Sequence, residues 1–136
     1  RMRALVVSNA TLEHDEVYAA LAEHQAKSGL VSVHVVVPVS LRDRYPWEAA
    51  KERLDVALLR LQRMGFAATG GLGDNDPFLA LKQALDVDVY DRILITTLKS
   101  DASRWLRMDL ISRASRLTDT PVERIATSAG WSAPAT

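Results

Sequence analysis

Two short polar runs hold the residues best suited to contact a ligand: Ser8-Asn9-Ala10-Thr11 and Thr96-Thr97-Leu98-Lys99-Ser100. Each gathers small hydroxyl or amide side chains at the end of an apolar run and just before a helical pattern. There, free backbone N–H groups and the helix dipole favour hydrogen-bonding or anionic ligands. The same residue types also make ordinary helix caps, so on composition alone both readings stand. The ligand reading needs the two runs to meet, which happens only if the strands preceding them are neighbours in a sheet.

Other candidate chemistries fare worse. Gly70-Gly71-Leu72-Gly73 invites a phosphate reading, but position 76 is Asp where GxGxxG needs glycine, and no GK[ST] follows. Asp74 and Asp76 would repel an anion, so a plain turn with Asp76 as N-cap and Pro77 at N1 is the expectation. His14, His24 and His34 form no metal motif. His34, inside an apolar strand, is expected to be a hydrogen-bonded core residue rather than a base. No GxSxG elbow presents a serine, and no HxGH-type or SGGxDS-type loop is present, so a non-catalytic role is expected. Arg104, Arg107, Arg113 and Arg116 alternate with Asp101, Asp109 and Asp119, which reads as a solvated face.

The elements that must position these residues follow from periodicity. Ala4–Val7 and Val31–Val37 are continuous apolar runs, as in strands buried on both faces. Residues 12–27 carry Val17, Ala20, Leu21 and His24 at helical spacing, with Gly29 placed as a left-handed cap. Ser40–Trp47 is a polar connection. Glu48–Met64 then shows Ala50, Leu54, Ala57, Leu58, Leu61 and Met64 on one face, with Lys51, Arg53, Asp55, Arg60 and Arg63 elsewhere. Phe66–Thr69 is a weak strand, 77–85 a short helix and Arg92–Thr96 a fourth strand. A helix through Leu106, Leu110, Ala114 and Leu117 precedes a last strand, Val122–Ala126, and 127–136 reads as a frayed tail. Strands and helices thus alternate throughout, the pattern of a parallel α/β sheet covered on both faces, with right-handed crossovers. In such sheets ligands bind beyond the carboxyl ends of the strands, where the strand order reverses.

Composition narrows the partners. The 136 residues suit one domain, and 48% hydrophobic with 25% charged residues suits a folded one. Lys+Arg and Asp+Glu both number 17, so no net field holds a nucleic acid or an anionic membrane. The strongest apolar run, Val31–Val39, is far short of the ~18 residues needed to span a bilayer. The absence of cysteine and of a visible signal peptide makes the cytoplasm the expected location.

Taken in order, several weak motifs make the stretch from Arg3 to Ala126 resemble the universal stress protein family. Leu5-Val6-Val7-Ser8-Asn9-Ala10 is similar to the family's first strand and adenosine-contacting turn, and His34-Val35-Val36 to its second-strand run. Gly65, Gly73-Asp74, Pro77 and Ala80 are similar to its "G…GDP…I" stretch. Tyr90-Asp91-Arg92-Ile93-Leu94-Ile95 resembles its fourth strand, and Thr120-Pro121-Val122 its closing one.

The resemblance implies strand order 3-2-1-4-5, a domain spanning residues 1–126, and often a homodimer through the last strand. It also implies a site for an adenine nucleotide, ATP or AMP, at Ser8, Asn9, Val37, Thr97, Ser100 and Arg104. The family's ATP-binding members place Asp where this chain has Asn9, and a Val main chain against adenine where it has Val37. Their glycine-rich phosphate loop is missing: Thr97 and Ser100 stand at its first two glycines, and Leu110-Ile111 at its closing G-S/T. Ser103–Leu110 resembles the variant of degenerate actinobacterial-type members. Arg104 or Lys99 is left to neutralise a phosphate, while Trp105 and Leu106 are placed to pack the crevice. The expectation is a non-catalytic domain in stress response or regulation that has lost or weakened ATP binding. The alternative is an adenine-nucleotide module using the crevice between the first and fourth strands.

Overall fold

The structure, a computed structural model, describes residues 2–98 and 110–127. Five parallel strands, β1 (Met2–Val7), β2 (Leu30–Pro38), β3 (Ala67–Gly73), β4 (Arg92–Leu98) and β5 (Val122–Thr127), lie in the order β3-β2-β1-β4-β5. Helices α1 (Asp15–Ser28), α2 (Pro46–Arg63), α3 (Pro77–Val87) and α4 (Leu110–Leu117) connect them, with a 3-10 turn at Ala10–Glu13. The α/β class and the 3-2-1-4-5 order match the sequence expectation.

The continuous apolar strands are explained by two cores, one on each face of the sheet. Ala4 and Val6 of β1 point to the face covered by α1 and α2, where they meet Val33, Val35, Val37, Val17, Leu21, Leu54 and Leu61. Leu5 and Val7 point to the opposite face with Val36, Ile93 and Ile95, against Ala80 and Leu81 of α3 and Leu110 and Ala114 of α4. Alternation along a strand sends successive residues to opposite layers, so a stretch covered on both sides, such as Ala4–Val7, is apolar at every position.

Several boundaries differ from the sequence reading, and four of them bear on the site or its packing. α1 starts at Asp15 because residues 10–13 first close a tighter turn, which Tyr18 holds by donating its hydroxyl to the Leu12 carbonyl at 2.8 Å. β4 continues past Thr96 to Leu98, so Thr97 and Leu98 belong to the strand, and β5 ends at Thr127. The fourth difference corrects the Gly70–Gly73 turn, which is the second half of β3, in register with Val35–Pro38 of β2. The glycines there serve packing. A Cβ on Gly70 would stand 2.6 Å from Leu54 Cδ1 and from the Val35 carbonyl, and one on Gly73 would stand 2.7 Å from Ala80 Cβ. α2 and α3 thus approach β3 from opposite faces, closer than a side chain allows. The turn lies just beyond, where Asp76 caps α3 as expected by accepting from Phe78 N at 3.0 Å, with Pro77 at its start. Gly29 caps α1 with φ 69°, also as expected.

Candidate functional site

β1 lies between β2 and β4, and the strand-order reversal therefore falls at the carboxyl end of β1, where Ser8 and Asn9 sit. β1 and β4 run in register through Val7 and Ile95, which brings Ser8 beside Thr96. The meeting of the two polar runs is thereby realised, and its product is a closed ring of hydroxyls. Thr96 donates to Ser8, and Thr11 of the 3-10 turn is hydrogen-bonded to both. All three are buried, Ser8 completely. With the ring run in one sense, Ser8 donates to Thr11 and Thr11 to Thr96, so each O–H finds an acceptor without water or ligand. Ser8 is therefore a structural tie between β1, β4 and the turn.

Asn9, one residue on, is half-buried, and both ends of its amide are occupied by the chain itself. Its NH2 donates to the Pro38 carbonyl at the end of β2. Its Oδ1 accepts from Arg53 Nη1 at 2.7 Å. The same guanidinium grips Asp43, Nη1 to Oδ2 at 2.9 Å and Nη2 to Oδ1 at 3.3 Å, and reaches Glu13 Oε2 from Nε at 3.2 Å. The Asp43 hydrogen bonds, helped by Glu13 and opposed by burial, raise the Arg53 pKa above its ordinary value. The strand-end crevice thus holds a network joining the 3-10 turn, β2, the 39–45 connection and α2.

The sequence reading places Arg53 off the apolar face of its helix, and it is not among that helix's buried residues, but the reading gives this arginine no part in the site. Its side chain is only 20% exposed. The signal was its position: Arg53 precedes Leu54 and sits three residues after Ala50 and four before Ala57, at the margin of the buried stripe. A long side chain there can run along the core edge and deliver its charge to the strand ends.

The remaining expected site residues divide. Val37 is fully buried in the core beneath α1 and α2, and it is the carbonyl of its neighbour Pro38 that meets Asn9. Thr97 pairs with Ala126 through its backbone. The Thr97 side chain, Ser100 and Arg104 lie outside the described residues, as do Lys99, Trp105 and Leu106.

His34 and His24 make their contacts away from the crevice network. His34 is hydrogen-bonded as expected, Nδ1 to Thr69 Oγ1 at 2.7 Å, but it is half-buried rather than enclosed, and it stacks on Tyr90 with centroids 6.2 Å apart. Burial, then the nearby Arg3 charge, lowers its pKa, against a smaller opposing effect of Asp88. His24 Nε2 lies 3.0 Å from Glu123 Oε1 and ties α1 to β5. Among the described residues no cluster of three or more His, Asp or Glu could hold a metal ion. No helix among them is long and apolar enough to cross a membrane.

The fold and the polar strand ends at its centre define a doubly wound α/β domain of the kind that carries its site at the switch between β1 and β4. The particular likeness is to universal stress proteins. The structure of the universal stress protein from Archaeoglobus fulgidus is similar to this one with a TM-score of 0.65, at 20% sequence identity, covering 92% of this chain and 93% of that one. This chain has the universal stress protein fold. No family model and no curated protein matches the sequence.

Proposed function

We propose that this chain is a non-catalytic universal-stress-like domain, acting in stress response or regulation in the cytoplasm, whose nucleotide crevice is closed by its own side chains. The observation that carries this reading is the double engagement of Asn9 by Pro38 and Arg53. An amide can accept from a guanidinium on one side while donating to a carbonyl on the other; an aspartate can do only the first. The residue that replaces the family's Asp is thus the one suited to lock the crevice to itself. Ser8 supports the same reading, because its hydroxyl is spent in a buried ring. β5, an edge strand of the sheet, is the surface through which we propose the domain pairs with a second copy.

Thermal unfolding against ATP, ADP, AMP and cyclic AMP tests the reading. A ligand at a hundredfold excess over its Kd stabilises by about 2.7 kcal/mol, so binding is hard to miss. A flat panel is expected. A dose-dependent rise with one nucleotide would replace this reading with that of an adenine-nucleotide module.

A further inference from the structure

The closed crevice, on which the following rests, is covered on one side by an exposed connection. The connection from β2 to α2 is anchored at one end by Val39, which is buried and donates its N–H to the Gly73 carbonyl at 3.1 Å. At the other end Tyr45 accepts the first bond of α2, from Ala49 N at 2.9 Å. Between these anchors Ser40–Arg44 is exposed or half-exposed, and Leu41 reaches 71% exposure. Asp43 turns inward from this stretch and occupies the fork of Arg53 with both carboxylate oxygens.

We propose that residues 40–44 form a latch, in which the Asp43 carboxylate fills an anion seat at Arg53 that a phosphate-bearing ligand takes when the latch opens. A guanidinium presents parallel donors that suit carboxylate and phosphate alike. Arg53 is held ready to receive such a group, because Asn9 Oδ1 fixes one nitrogen from the strand side and the side chain runs along the core edge. The groups that neutralise it are the two that can leave. Asp43 belongs to the exposed connection, and the Glu13 side chain is 67% exposed at the 3-10 turn. A ligand offering two anionic oxygens replaces Asp43 without leaving Arg53 unpaired, and the connection then swings away between Val39 and Pro46.

The test combines amide hydrogen exchange of residues 40–45 with calorimetry of AMP, inorganic phosphate and adenosine on the full chain and on the Asp43→Asn and Arg53→Gln variants. Asp43→Asn keeps the shape and removes the charge. It is expected to speed exchange in 40–45 at least tenfold and to tighten AMP and inorganic phosphate at least tenfold, with adenosine unchanged. Arg53→Gln is expected to free the segment equally and to gain no phosphate affinity; should it fail to fold, Asp43→Asn alone decides. Unchanged exchange in Asp43→Asn, or a freed segment with no gain for phosphate, overturns the latch and leaves the closed-crevice reading standing. Gained affinity for adenosine alone overturns the anion seat. Micromolar binding of AMP to the unaltered chain overturns both the latch and the closed crevice.

Discussion

Gly73 of β3 faces Ala80 of α3 so closely that a Cβ on the glycine would stand 2.7 Å from the alanine Cβ and 2.9 Å from Val36 Cγ1. Two residues away, a Cβ on Gly71 would meet nothing within 4 Å. The pair makes an internal control for the claim that these glycines serve helix packing. Gly73→Ala is expected to destabilise the fold by about 1–3 kcal/mol, the usual cost of overpacking. Gly71→Ala is expected to be neutral or to stabilise by up to about 1 kcal/mol through the unfolded chain. Urea denaturation of both variants checks this, and equal effects would refute the packing account.

The hydroxyl ring predicts a coupling. Thr96→Val keeps the shape and removes one member, leaving Ser8 and Thr11 each short of a partner in a buried site, at a cost of about 1–3 kcal/mol. Ser8→Ala breaks the same ring. The double variant is expected to cost less than the sum of the two single ones, by at least about 0.5 kcal/mol, since residues in one hydrogen-bond network do not act independently. Additive losses in a double-mutant cycle would show that no such ring contributes to stability.

Asn9→Asp introduces the carboxylate that the sequence resemblance places here in ATP-binding universal stress proteins, and is a direct probe of the amide's two roles. The carboxylate gains attraction to Arg53 but faces the Pro38 carbonyl with no proton to donate. A net loss of about 1 kcal/mol in chemical denaturation is expected, with the thermal response to nucleotides still flat. A more stable variant would mean that the bond to Pro38 contributes little.

His34 gives a pH dependence with a definite sign. Its folded pKa lies below the ordinary value of 6.5, chiefly from burial and next from Arg3. At acidic pH the unfolded chain therefore binds the proton more readily than the folded one, and stability falls. The contribution is complete above the unfolded value and is lost as pH drops through 6.5 toward the folded value. Between about pH 7.5 and 5.5, on either side of the ordinary histidine range, the unaltered protein should lose more stability than His34→Gln, measured by urea unfolding at both pH values. Equal losses would remove His34 as a source of the slope.

The fold was largely legible in the residues because strands such as Ala4–Val7, apolar at every position, have few other uses than a sheet covered on both faces. Gly70–Gly73 misled because glycine's ordinary meaning is a turn, and nothing local announces that Ala80 and Leu54 will crowd a strand. Half of the site was legible too. Ser8, Asn9 and Thr96 were picked out by type, but whether they faced a ligand or one another depended on geometry. Arg53 is harder to read: its place at the margin of the buried stripe shows only that it can reach inward, and its partners, Asp43 and Asn9, come from separate elements that local spacing does not bring together.

The place of β1 at the centre of the sheet also bears on how the protein is made. Of the five strands β1 is made first, yet one of its two edge partners, β4, is made fourth. Asn9 meets Pro38 after 29 further positions, but Ser8 meets Thr96 only after 88. Until β4 emerges one edge of β1 is unpaired, and until α3 emerges Leu5 and Val7 lack the helix that covers them. Contacts so distant along the chain slow folding, and an open apolar edge is a template for unwanted pairing. The nascent chain is therefore most exposed to aggregation while the stretch between β2 and β4 is made, and the hydroxyl ring closes only when that interval has passed.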